Sequence, residues 1–263
     1  MFFPEKLAQQ FKVPLGKNGK RKHLMGLMFL WGMGFVTVGG IHSIVRRTGN
    51  KAVDDTLYLC TVFNCALGFA RIYMNLDKNK KFGMDKNGDM LNLAGNFVIG
   101  VGAALLWKEG GMQIPKVNMG AFSFDSALDQ FNVWSCVIAA YFAVNFSLFP
   151  GKGTKDMKLR DYYNDTQIYI RKGIIEWLGS VNIVVAATTI AGVSSGNSAF
   201  QYAMCRFNWI TSALYALAFR IAYLRLEDDG APKEYVKAVS MYRMLMFASM
   251  LVAARAMISV DTA

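Results

Sequence analysis

Residues 173–194 read GIIEWLGSVNIVVAATTIAGVS, an apolar run with one charge, Glu176, and no proline. About 20 such residues wound as an α-helix cross a hydrocarbon core of about 30 Å. The run follows Arg171-Lys172 and stops at the polar turn Ser194-Ser-Gly-Asn197. After that turn another apolar stretch begins, so the two predict a tight antiparallel pair of spans.

Working outward, the same pattern recurs. Further spans are predicted over 199–224 and 238–258 on the C-terminal side, and over 24–45, 56–76, 90–107 and 131–149 on the N-terminal side. Between the third and fourth, Asp125 is placed to cap a helix carrying Leu128 and Phe131 into span four. The predicted fold class is all-α: a polytopic helical membrane bundle of about seven transmembrane helices. No polar segment is long enough for a second domain, so residues 23–263 form a single transmembrane domain. Residues 1–22 form a basic segment in which Phe3, Leu7 and Phe11 share one helical face, as in a helix lying on the inner membrane surface.

The chain carries a net charge of +11, and the distribution of that charge decides its meaning. With seven spans, 21 Lys and Arg fall on the side of the N-terminus and six (Arg46, Arg47, Lys51, Lys108, Lys116 and Arg255) on the other. Basic residues flank the side of a span that stays inside, which predicts an N-terminus on the cytosolic, matrix or stromal side. The same explanation removes nucleic acid as a partner, since no nucleic-acid motif accompanies the charge.

The chain also resembles itself. Cys60-Thr-Val-Phe63-Asn64 is echoed by Cys205-Arg-Phe207-Asn208, and Phe69-Ala-Arg71-Ile72-Tyr73 by Phe219-Arg220-Ile221-Ala-Tyr223. Each echo follows a span bearing Trp and Gly. Three spans, a linker and three spans would make parallel repeats, 24–107 and 173–258, joined by a linker helix at 131–149.

Polar residues inside spans are the pointers to function, because burying them unpaired is costly. The candidate intramembrane network comprises Asn64, Glu176, Asn182, Arg206, Asn208 and Arg243, with Glu176 and Arg243 at a depth where they can pair. Asn96 and Asn145 extend the series of span amides. Such amides act as interhelical glue or line a polar path, and glue is the favoured reading.

Several chemistries find no support. The two histidines, His23 and His42, sit at opposite ends of span one, about 28 Å apart by helical rise, and cannot share a haem. No His/Cys cluster offers a zinc site, and Cys60, Cys65, Cys136 and Cys205 read as reduced thiols within spans. Span seven has no lysine for a retinal Schiff base. Asp85-Lys-Asn87-Gly-Asp89 fails as a calcium loop at Met90 and Asn96. Gly151-Lys-Gly153-Thr lacks phosphate-loop spacing, and Asn164-Asp-Thr166 is a sequon on the inner side, where it goes unused. No nucleophile–base pair stands out, so the expectation is a non-enzymatic chain. The favoured function is a non-catalytic subunit or scaffold of a larger membrane complex in an energy-transducing organellar membrane, mitochondrial inner or thylakoid. Its expected partners are membrane lipids, some of them bound, and other membrane subunits, and the residues assign no cofactor. The alternative is a small-solute or ion transporter built on the two repeats.

Overall fold

The computed structural model describes residues 19–83, 85–228 and 230–261; the surface helix expected before Pro14 lies outside them. Among the described residues every regular element is helical. The helices are α1 (Gly19–Thr48), α2 (Lys51–Met74), the short α3 (Leu76–Lys81), α4 (Lys86–Glu109), α5 (Ala127–Leu148), the short α6 (Lys152–Asp156), α7 (Asp165–Ser194), α8 (Ser198–Asp228) and α9 (Lys233–Asp261). In α1, α2, α4, α5, α7 and α9 the apolar part is long enough to cross a membrane, so the chain is a polytopic helical membrane bundle. The remaining long helix, α8, runs 31 residues.

Helix ends are set by polar caps, and this is where the sequence-based boundaries shift. Span four begins not under Asp125 but under Ser126, whose side chain accepts from the Asp129 N–H while the Asp129 carboxylate accepts from the Ser126 N–H. Asn164 and Gln167 make the same reciprocal arrangement at the start of α7. That cap starts α7 at Asp165, about two turns before the apolar run.

The long connections gather at two ends. Residues 75–83, 149–164 and 230–232 lie at what we call the basic end, and 49–50, 110–126 and 195–197 at the opposite end. Helix α7 is the hub, packed by α5, α2, α1 and α8. Helix α4 is peripheral, with α2 as its neighbour among the long helices. Both therefore leave large apolar side chains outward, Phe63, Phe97 and Leu105 among them.

Helices α1, α2 and α4 and helices α7, α8 and α9 show a common plan. Helices α1 and α7 each run 30 residues, and Trp31 and Trp177 stand at the same position from their starts. A left-handed glycine ends each one, Gly49 at φ 61° and Gly196 at φ 66°, a conformation glycine adopts without a Cβ clash. An asparagine then caps each second helix: Asn50 accepts from the Val53 N–H and Asn197 from the Phe200 N–H. The packing is reciprocal, with α1 on α8 and α2 on α7, and α2 on α4 as α8 is on α9. Between the two hairpins lies one apolar cluster containing Val45 and Ala191, Val53 and Phe200, and Leu57 and Met204. The echoes seen in the sequence are out of register with this plan. Counted from the caps, Asn64 lies three residues farther along than Asn208, whereas Arg71 lies two residues short of Arg220.

The 149–164 connection folds back across the basic end. Met157, Leu159, Tyr162 and Tyr163 are buried there against Leu226, Tyr235 and Val239. The reversal passes through Lys158 at φ 51°, a left-handed residue with a Cβ. Its ammonium meets the Glu234 carboxylate at 2.6 Å, a pair that stays largely exposed. An exposed pair contributes little, and left-handed strain is relieved by glycine. Lys158→Gly is therefore expected to raise the unfolding temperature by about 2–4 °C, read by a thermal melt of the detergent-solubilised protein.

Candidate functional site

The residues singled out from sequence are spread along the bundle. Asn64 donates from Nδ2 to the Ser180 carbonyl at 3.1 Å, linking α2 to α7. Its own Oδ1 is buried without a partner. Asn182 donates to the Leu178 carbonyl of its own helix at 2.8 Å, and Asn208 accepts from the Ser212 hydroxyl at 3.0 Å. Asn96 and Asn145 likewise bond one turn back. Arg206 is exposed on α8, donating to the Tyr202 hydroxyl at 2.6 Å and lying over that ring. Arg243 is half-buried on α9.

Glu176 takes its ion pairs from Lys172 at 3.7 Å and Arg71 at 4.0 Å, rather than from Arg243, whose depth would also allow a pair. Arg71 also donates to the Ser147 carbonyl at 3.4 Å, so one guanidinium on α2 meets α5 and α7. Lys172 is half-exposed and one turn from Glu176, so its contribution is that of a helix-surface pair. Arg71→Ala is expected to cost about 1–2 kcal/mol and Lys172→Ala about 0.5 kcal/mol or less, compared by thermal unfolding in one detergent.

Other polar links hold the bundle, and sequence reasoning passed over them. Asn132 of α5 donates to Gln201 of α8 at 2.8 Å, and Trp134 of α5 to Ser249 of α9 at 2.9 Å. The Cys205 thiol contacts the Ala253 carbonyl across α8 and α9 at 3.1 Å. Asn132 and Gln201 both lie near the ends of their helices, inside the predicted spans, and nothing in their spacing marks them as a pair.

The most demanding group in the bundle is Arg171. It stands in the second turn of α7 and is 5% exposed. Its Nη1 reaches the Thr154 hydroxyl at 3.5 Å and its Nη2 the Met157 sulfur at 3.7 Å, both long contacts to the folded-back connection. The Tyr235 ring lies 5.7 Å from its central carbon. Its Nε has no hydrogen-bond partner, and among the described residues no carboxylate pairs with it. Taking a cation out of water costs several kcal/mol unless an anion compensates, so this arrangement is energetically open.

Arg171 lines a partly open cavity of about 60 Å³ bordered by α1, α5, α7, α8 and α9. The remaining wall is apolar or aromatic, with Leu27, Leu30, Phe146, Leu178 and Tyr242 in it. Beside it, burial holds the Tyr163 phenol well above its ordinary pKa, so this neighbour stays neutral and cannot offset the guanidinium. The sequence reading counted Arg171 among the loop charges because it started the span at Gly173. The cap formed by Asn164 and Gln167 was the available signal, since it moves the helix start to a point that carries Arg171 inside. Among the described residues no three His, Cys, Asp or Glu side chains group as metal ligands. No protein-family profile, no curated protein and no solved structure matches the chain.

Proposed function

We propose that the chain is a non-catalytic integral membrane subunit, a scaffold built from two three-helix units joined by α5, with α8 as the seventh span. Its N-terminus lies on the positive-inside face, the side of the basic end. The observation that supports this over transport is the filling between the two units. Transporters built on repeats place their substrate near mid-membrane at the repeat interface, among polar groups or broken helices. Here half-buried Trp31 and Trp177 meet edge to face at 6.1 Å between centroids, with Phe35 beside them on the outer rim. Toward the opposite end it is closed by Ile41, Val53, Leu57 and Phe200, each 1% exposed or less. The span amides favour the same reading, because their bonds run to their own or neighbouring helices, as structural glue does.

The test is solubilisation in a mild detergent, followed by native electrophoresis and mass spectrometry of the band that contains this chain. Stoichiometric co-migration with a defined set of membrane proteins is the expected result. A band of monomer or dimer size sinks the subunit reading. Solute uptake by vesicles of the purified chain, lost on replacing Asn64 and Asn208, would establish the transporter instead.

A further inference from the structure

We infer that the Arg171 cavity is an oxyanion site, taking the phosphate or carboxylate of an acidic lipid or a free anion of the same chemistry. Three features of the structure converge on it. The guanidinium is buried, its Nε edge is unsatisfied, and it borders empty space. A water-sized group needs roughly 10–15 Å³ of such space, so about 60 Å³ admits an oxyanion with a few attached atoms. Arginine suits it because the guanidinium offers two parallel donors to two oxygens of one phosphate or carboxylate.

The surroundings favour an amphiphile as the source. Beyond the guanidinium the wall is Leu27, Leu30, Phe146, Ile175 and Leu178, which suits the carbon chain next to a headgroup rather than a hydrated ion. Outside, Lys152, Lys155, Lys158 and Arg160 are exposed on the connection that covers Arg171. Basic residues at a membrane face concentrate acidic lipids. Thr154 and Met157 touch the guanidinium from that connection, so an anion bound there would also fix the connection to the helices. The inference is independent of whether the chain is a subunit or a transporter.

The experiment uses the full chain in nanodiscs of phosphatidylcholine alone or containing phosphatidylglycerol, with lipids retained by the protein counted by native mass spectrometry. The wild-type chain is expected to retain phosphatidylglycerol selectively. Arg171→Gln should weaken that retention about tenfold, the worth of one charge-assisted hydrogen bond. Arg171→Lys, which keeps the charge without the paired donors, should fall between them and controls for a folding defect in the glutamine variant. Inorganic phosphate added to the phosphatidylcholine discs is the second arm. A phosphate-induced rise in unfolding temperature, present in wild type and absent in Arg171→Gln, with no lipid selectivity, assigns the site to a soluble anion. No lipid selectivity and no phosphate response in the wild-type chain, or responses equal in wild type and Arg171→Gln, overturns the inference.

Discussion

Gly179→Val is expected to yield little or no folded protein, the most damaging single substitution in the bundle. A Cβ at Gly179 would stand 2.7 Å from the Ser147 backbone nitrogen, 3.0 Å from the Phe146 carbonyl carbon and 2.3 Å from the Ser147 hydroxyl. Two of these are main-chain atoms of α5 and cannot rotate away. Relief therefore requires α5 to move off α7, the hub helix, and to give up the burial of Phe142 and Ala143 near the crossing. Overpacking a tight site costs about 1–3 kcal/mol and more where backbone must shift. Alanine is expected to cost about 2 kcal/mol, and valine more than about 3 kcal/mol. Gly173 on the same helix is the control, because nothing lies within 4 Å of its added Cβ. Gly173→Ala should gain about 0.5–1 kcal/mol from helix propensity. Thermal unfolding in detergent compares the three; a Gly179→Val protein melting with wild type would mean that α5 does not approach α7 this closely.

Apolar length made the membrane helices legible, because the bilayer imposes a length that few other environments ask for. The ends were less legible, because they are set by caps in the polar interface. Asn164 illustrates the difficulty: the same residues satisfy a sequon and a capping box, and only the second describes what the side chain does. Misplacing that end concealed Arg171, whose burial depends on the connection 149–164 folding over it. That fold-back is a tertiary event with no periodicity to announce it. The repeat was read from side-chain echoes that fall out of register. The turns Thr48-Gly-Asn50 and Ser195-Gly-Asn197 carry the stronger likeness, since a left-handed glycine followed by an asparagine cap is a backbone requirement. The six span residues Asn64, Glu176, Asn182, Arg206, Asn208 and Arg243 bond mostly within or between neighbouring helices, and for the amides the reason is plain. An asparagine in a helix can donate to the carbonyl one turn back, which satisfies it without a neighbour.

Substitutions at Gly34 and Trp177 are expected to couple strongly. The Trp177 ring lies on the bare backbone of Gly34, and a Cβ there would fall 2.0 Å from the ring. Phe35 at 4.5 Å and Trp31 at 6.1 Å, centroid to centroid, must shift with the ring if it moves. Gly34→Ala should therefore cost about 2–3 kcal/mol, although the same change at Gly39, with nothing within 4 Å, should not destabilise. Trp177→Leu alone should cost about 2–3 kcal/mol through the space it leaves. With leucine at 177 the added methyl enters that space, so the double variant should lose at least about 1 kcal/mol less than the sum of the single losses. The same cycle probes the two-unit plan. The position in α7 equivalent to Gly34 in α1 is Ser180, which has a side chain and whose carbonyl accepts the Asn64 amide. Trp31 thus has no bare-backbone seat of the kind Trp177 occupies, and Trp31→Leu should cost less than Trp177→Leu. Equal losses would mean that the two tryptophans occupy equivalent seats, which the difference between Gly34 and Ser180 forbids.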